Sequence, residues 1–339
     1  MRILMVGQYP PHGGGVARHL DNLVRELRKR HEVHVLTYGP VETRDFERDL
    51  VHQVRVPPVY GLRGTSFAFL GARKIVQLHR RFGFDVIHAH FVGTTSFAGV
   101  LAKVNVPLVV TAHGSDLEHT AKLTLGGFYV KKSLERADAT IAVSHHLAKL
   151  AQRLGAKNVK IIPNGVSITG IPAERRYITF IGALRVYKSP ETFIELARHF
   201  PGEEFLVVGE GPLRKELEEK APSNVRFLGY RRDVDRILSE SKLLVLPSRR
   251  EGFGLVILEA NSLGVPVVGR RVSAIRELIR EGKNGLTFGS FDELVAAVRT
   301  LLELKKNQKA GTIGRRVARL YSWKLVAREV EALYESLTG

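Results

Sequence analysis

Pro247-Ser248-Arg249-Arg250-Glu251-Gly252-Phe253-Gly254-Leu255-Val256-Ile257-Leu258-Glu259-Ala260 is the most informative run in the chain. Two carboxylates bracket a Gly-x-Gly turn, and the apolar residues behind it predict the start of a helix. Gly252 and Gly254 free backbone N–H groups at that start, where the unpaired amides and the helix dipole favour an anion such as a diphosphate. Glu251 falls at the mouth of the turn and Glu259 on the helix behind it. One carboxylate can then hold the hydroxyls of a sugar while the other holds those of a ribose. The plainer reading, a loop carboxylate and a solvated helix residue, would win for two glutamates standing alone; the rest of the chain decides against it.

On both sides of this run, short β-rich segments alternate with segments of helical apolar spacing. The first series is Ile3–Val6, Val33–Leu36, Val86–His88, Leu108–Thr111 and Ala139–Val143. The second is Tyr177–Ile181, Glu204–Val208, Val225–Leu228, Leu243–Leu246 and Pro266–Val268. Between them His19–Arg30 and Pro190–His199 carry a helical repeat. Strands alternating with helices predict parallel sheets covered on both faces. Two such series predict an α/β chain of two Rossmann-like, doubly wound domains, whose ligands belong at the C-terminal ends of the strands. The Pro-, Gly- and Ser-containing segment Ile162–Pro172 reads as the linker.

Composition narrows the classes. The chain has 339 residues, 44% hydrophobic and 25% charged, enough for two cores of ordinary soluble type. No apolar run reaches the roughly 20 residues of a membrane span. The start Met1–Gly7 reads as a first strand and is too short for a signal h-region. A cytoplasmic location is expected, and the absence of cysteine excludes disulfides and thiolate metal sites. Only two methionines, no cysteine and abundant Arg and Glu hint at a thermophilic source. The net charge of +18 attracts polyanions. No helix-turn-helix, zinc finger or RNP-type aromatic pattern organises contact with nucleic acid. The charge therefore favours an anionic membrane surface, met peripherally from the inner face, over nucleic acid, with a simply basic soluble protein as the alternative. Ser66–Arg81 and Phe128–Lys132 mix aromatics with basic residues and are the segments that would touch it, although a Rossmann helix with one face in the core has the same pattern.

The opening run resembles the E-x7-E signature of the retaining family 4 glycosyltransferases, which have the GT-B fold: two Rossmann-like domains with an interdomain cleft. The resemblance extends from Gly13-Gly14-Gly15 to Tyr321-Ser322-Trp323. It implies an N-terminal, acceptor-side domain over 1–167, joined by a last helix at about 322–339 that crosses back. A nucleotide-sugar-binding domain follows over 168–321.

Residue by residue, the resemblance implies that Gly14 and Gly15 border the donor diphosphate. His113, in Thr111-Ala112-His113-Gly114-Ser115-Asp116, contacts the transferred sugar. In Gly182-Ala183-Leu184-Arg185-Val186-Tyr187-Lys188, Lys188 matches the family lysine that grips the diphosphate. The family arginine is replaced by Ala183, and Arg185, two residues on, is the substitute cation. Gly254 and Leu255 complete the phosphate site, Glu259 holds the ribose, and Glu251 and Phe253 hold the sugar. Gly209, Glu210, Leu228, Gly229 and Tyr230 lie beside the base. His88 and His90 resemble a common family feature; metal ligation by these histidines is not expected, since no third histidine or carboxylate has a convincing spacing. Asp233-Val234-Asp235 reads as the first turn of a surface helix rather than a metal motif.

The function implied is transfer of a hexose or N-acetylhexosamine from a nucleotide diphosphate sugar to an acceptor hydroxyl on a lipid, glycan or small molecule. UDP-sugars come first as donor and GDP-mannose next. The transfer is retaining and metal-independent, with His113 and Glu251 as the catalytic pair and no cofactor. Two other classes remain open: a non-catalytic nucleotide-sugar-binding protein, suggested by Ala183, and a glycoside-cleaving enzyme using Glu251.

Overall fold

The computed structural model describes residues 1–11, 14–39, 49–57, 62–168, 170, 173–272 and 274–339. Gly13 of the glycine loop, Thr169, Ile171 and Pro172 of the linker, and much of the loop after Tyr38 lie outside the described residues. Contacts divide the chain into Met1–Gly165 with Trp323–Gly339, and Val166–Ser322.

In the first unit β1 (Arg2–Val6), β2 (Glu32–Tyr38), β3 (Val51–Val54), β4 (Val86–His90), β5 (Leu108–Ala112), β6 (Ala139–Ala142) and β7 (Val159–Ile161) form one sheet. Its order is β3-β2-β1-β4-β5-β6-β7 and every pairing is parallel. The central strands are buried on both faces because helices cover them: Ile3, Leu4, Met5 and Val6 of β1 are all fully buried, as are the two histidines of β4. The strand order reverses between β1 and β4, the switch point beside which ligands of such sheets bind at the C-terminal strand ends.

Helix Gly15–Leu27 buries Ala17, His19, Leu20, Leu23, Val24 and Leu27, one face at helical spacing. The last helix, Trp323–Thr338, lays Val326, Ala327, Val330, Leu333 and Tyr334 into the same core. Glu331 accepts two hydrogen bonds from Arg30, at 2.6 and 2.8 Å, and pairs with His31 at 2.7 Å. The terminal helix is thus an integral layer of the first unit.

In the second unit β8 (Tyr177–Ile181), β9 (Glu204–Val208), β10 (Val225–Gly229), β11 (Ser241–Leu246), β12 (Val267–Arg270) and β13 (Gly285–Phe288) follow the order β10-β9-β8-β11-β12-β13, again all parallel. Phe180, Phe193, Phe205, Val245, Phe288 and Leu294 centre its core. Pro190 opens helix Pro190–Arg198, where its missing N–H has no intrahelical acceptor to lose.

Helix Leu62–Phe82 sends Phe67, Ile75 and Leu78 into the core, so much of the apolar character of Ser66–Arg81 is structural; Phe69 remains 55% exposed. Likewise Tyr129 and Val130 are buried while Phe128 is half exposed. Asp233 precedes helix Val234–Ser239 and is held by Arg231 at 2.7 and 2.8 Å, as a surface carboxylate would be. Among the described residues no helix is long and apolar enough to cross a membrane.

Candidate functional site

The candidate residues collect at the C-terminal strand edges of each unit. In the second unit the loops leaving β8 and β11, neighbours in the sheet, are tied together twice. The Arg249 amide donates to the Tyr187 carbonyl at 2.8 Å, and Arg249 Nε donates to Ser189 Oγ at 3.0 Å. These ties bring Lys188, the last residue of a 3-10 turn Val186–Lys188, onto Glu251. Lys188 Nζ donates to Glu251 Oε1, and Ser248 Oγ donates to the same oxygen at 2.9 Å. Oε2 is left without a hydrogen bond among the described residues. The side chains keep 15% and 10% of their exposure, so the pair sits where charge attraction is far stronger than in bulk water.

Gly254, in the left-handed region at φ 89°, caps helix Leu255–Ser262. The Ile257 amide returns to the Gly254 carbonyl at 2.9 Å, while the first helical amides have no intrahelical acceptor and face out along the dipole. Glu259 stands one turn behind Leu255 on the same side of this helix, half-buried. The Phe253 ring is buried and meets Tyr321 edge-on at 6.4 Å, so its bulk serves packing. Arg185 is exposed, with no side-chain partner among the described residues, and its amide donates to the Ala183 carbonyl at 2.9 Å.

The base-side candidates lie on the adjoining strands. The Gly182 amide donates to the Val208 carbonyl at 2.9 Å, and the Gly209 amide to the Gly229 carbonyl at 2.8 Å. The loops are so close that a Cβ on Gly209 would strike the Gly182 carbonyl. Glu210 pairs with Arg214, Tyr230 is exposed, and Leu228 packs with Leu206, Val208 and Ile237.

In the first unit Gly14 and Gly15 are exposed at the start of helix Gly15–Leu27. His113, just past β5, is half-buried, and its place is fixed by Asp116. Asp116 is fully buried and accepts four backbone N–H bonds, from Gly114 (2.7 Å) and Leu117 (3.0 Å) on Oδ1, and from His113 and Val92 (both 3.0 Å) on Oδ2. Burial pushes its carboxyl up, and those four donors pull it back. One side chain thereby locks the loop after β4 to the loop after β5. Sequence reading passed over Asp116; an aspartate three residues after the histidine, at the start of a short helix, was the signal. In Asp116→Asn an NH2 group replaces one acceptor and faces backbone donors. We expect about 1–3 kcal/mol lower stability in urea unfolding and a reduced kcat, with kcat rescued by no other substitution at 116. A parent-like midpoint and kcat would remove the residue from this role.

Around His113 the structure gathers histidines that spacing had not joined. His90 Nδ1 lies 3.4 Å from His113 Nε2, and the ring of His19 is 4.9 Å from that of His113 and 5.3 Å from that of His90. Sequence spacing offered no third histidine, and the fold supplies one: His19 arrives from the helix after β1, next to β4 in the sheet. His88, below, is fixed by Tyr334 Oη and Thr111 Oγ1, each at 2.6 Å. Burial holds His19 at about 4 and His88 at about 3, and puts His90 and His113 well below 6.5, so all four are neutral at pH 7. A neutral His113 offers a hydrogen bond to a sugar hydroxyl without a buried charge.

The second unit offers a helix start with unpaired amides, a lysine and a paired carboxylate, and the first unit a neutral histidine on a locked loop. Residues 13–169 match the family model described as Glycosyltransferase Family 4, and residues 175–304 the model described as Glycosyl transferases group 1. An uncharacterized glycosyltransferase of Methanocaldococcus jannaschii is 28% identical across 100% of this chain and 99% of its own length. A phosphatidyl-myo-inositol mannosyltransferase of Mycolicibacterium smegmatis is 30% identical across 100% of this chain and 95% of its own. The Anabaena protein HepE, solved in complex with UDP and glucose, shares the fold at a TM-score of 0.83 and 21% identity, covering 99% of this chain and 100% of that one. The chain therefore belongs to glycosyltransferase family 4 and is a glycosyltransferase of the GT-B fold.

Proposed function

We propose that this glycosyltransferase moves a hexose or N-acetylhexosamine from a nucleotide diphosphate sugar, a UDP-sugar first, to an acceptor hydroxyl with retention and without a metal. The observation that carries the reading is the Lys188–Glu251 pair beside the start of helix Leu255–Ser262. An ammonium has three N–H donors, so Lys188 can keep Glu251 in place and still hold a phosphate oxygen. With Arg185 and the amides of Gly254 and Leu255 it takes up the charge that builds on the leaving diphosphate, the task a metal performs elsewhere. Glu251 Oε2, unbonded among the described residues, faces the sugar and stabilises an oxocarbenium-like state. Glu259 holds the ribose, Gly209, Glu210, Leu228, Gly229 and Tyr230 border the base, and His113 orients the sugar. In this reading the departing diphosphate takes the acceptor's proton on the face it leaves, so the anomeric configuration is kept.

The choice of UDP draws support from HepE, solved with UDP and glucose; the mannosyltransferase relative keeps GDP-mannose as the second donor to try. A thermal-shift series with UDP, GDP, ADP and their sugars tests the donor, and NMR of the product's anomeric proton tests the stereochemistry. UDP compounds are expected to raise Tm most, the product to keep the donor's α configuration, and EDTA to leave the rate unchanged. No shift with any nucleotide, an inverted product, or loss of activity in EDTA would each overturn the part it addresses.

A further inference from the structure

The three imidazoles of His19, His90 and His113 form a group that sugar transfer, as proposed, does not need as a set. They come from three separate elements at one sheet edge, and a ligand nitrogen of each lies within 4.8 Å of the others. Tetrahedral metal–nitrogen bonds of about 2.0–2.1 Å place two ligand nitrogens about 3.3 Å apart. His90 Nδ1 and His113 Nε2 stand at 3.4 Å, so one edge of such a site is already at its spacing. His19 Nδ1, on a side chain more than nine-tenths buried, has no hydrogen bond of good geometry among the described residues, although Asn164 stands beside the ring. Buried polar atoms are rarely left in this state, so the His19 nitrogen beside the His90–His113 edge marks a place where a partner is missing. His88 is not a candidate ligand, because both of its nitrogens are engaged by Tyr334 and Thr111.

We propose that His19, His90 and His113 form a three-imidazole site for a borderline divalent transition metal, Zn2+ foremost, with one coordination position open. Donors of nitrogen alone suit Zn2+, Co2+, Ni2+ and Cu2+; Mg2+ and Ca2+ require oxygen. A bound ion takes the His113 nitrogen that the proposed transfer uses on the sugar, so Zn2+ acts as an inhibitor. That last consequence rests on the proposed function; metal binding itself does not.

The chain's single tryptophan supplies a reporter. The ring of Trp323 lies 5.2 Å from that of His19, within range of quenching by a paramagnetic ion at the cluster. Untagged, EDTA-treated protein is titrated with Co2+ in the absence of any sugar donor, following Trp323 fluorescence and the visible absorption of the ion. One equivalent is expected to quench the emission and give the intense bands of a tetrahedral site, and Zn2+ added first should prevent both, with Mg2+ inert. His19→Gln and His90→Gln should each weaken binding at least about tenfold. Their far-UV circular dichroism shows whether they are folded; where one is not, the parent's Co2+ spectrum decides alone. No saturable response below about 100 μM metal, an octahedral spectrum, or parent-like affinity in both folded variants overturns the site. If Zn2+ binds at one equivalent and transfer is not slowed, His113 is not a ligand and the three-imidazole assignment fails. Loss of transfer activity for other reasons leaves the fluorescence titration unaffected, which separates this inference from the function it builds on.

Discussion

Lys188→Ala is expected to lose both donor affinity and fold stability, and Glu251→Gln to restore only the second. Removing the ammonium strands the Glu251 carboxylate, which keeps 10% of its exposure and then has only Ser248 Oγ as a donor. Breaking a buried pair costs about 3–5 kcal/mol; the residual access of water here lowers the expectation to about 2–3 kcal/mol. The diphosphate loses a charge-assisted contact at the same time, raising KM for the donor about 10- to 100-fold. Glu251→Gln alone keeps the shape and leaves nucleotide binding nearly intact, but it takes away the charge that meets the oxocarbenium-like state, and kcat should fall at least about 100-fold. In the double variant no buried charge is stranded, so stability should return to within about 1 kcal/mol of Glu251→Gln, while transfer stays absent. Urea midpoints and steady-state kinetics on the four proteins close the cycle. If Lys188→Ala keeps the parent's midpoint and KM, the pair has neither role.

The second large effect is a loss of stability in mild acid, confined to the first unit. His19 and His88 are neutral in the folded protein, at about 4 and about 3, against 6.5 for an exposed imidazole. Their folded values are depressed, so the unfolded chain binds more protons as pH falls through 6.5. The stability they contribute is complete above that point and lost between 6.5 and the folded values. By pH 5 each removes about 2 kcal/mol, and His90 and His113, lowered in the same direction, add to it. The second unit has a single histidine, His199, which is exposed. Trp323, in the first unit, should therefore report a denaturation midpoint that drops steeply from pH 7.5 to 5, ahead of most carboxylate titration. A midpoint that stays level over that range would show that the imidazoles are not held neutral.

The sheets were legible because their central strands are short, β-branched and flanked by glycine or proline. Tyr177–Ile181 and Glu204–Val208 have the same ends in the sequence reading and in the structure. The strands that reading passed over are β3, β7 and β13, all at sheet edges. Val51-His52-Gln53-Val54 and Val159-Lys160-Ile161 have no fully buried face, and an edge strand with one neighbour does not need one. Helix Gly15–Leu27 starts four residues before the expected His19: its first turn, Gly15-Val16-Ala17-Arg18, opens on a glycine and buries only the small Ala17, which gives little apolar signal.

The candidate site was legible as separate motifs and not as a constellation. Lys188 and Glu251 were each assigned a partner on the donor, yet they are joined to one another across 63 residues by loops whose approach depends on strand order. His19 escaped for the same reason: its neighbours in space are set by β1 lying beside β4, and no interval in the sequence encodes that.

The segment closing the first unit is synthesised after the whole of the second. The chain leaves that unit at Gly165, where a Cβ would run into the Trp323 ring, and re-enters it at Trp323 itself. On a ribosome the second unit, contiguous from Val166 to Ser322, has every residue it needs before the first has its terminal layer. Until that helix has emerged, Ile3, Leu20 and Val35 lack the apolar cover that Val326, Val330 and Tyr334 will bring, so the nascent chain carries that bay open while the second unit is made. The order of assembly runs against the order of the sequence, and a stop codon shortly before Trp323 would damage the beginning of the protein more than its end.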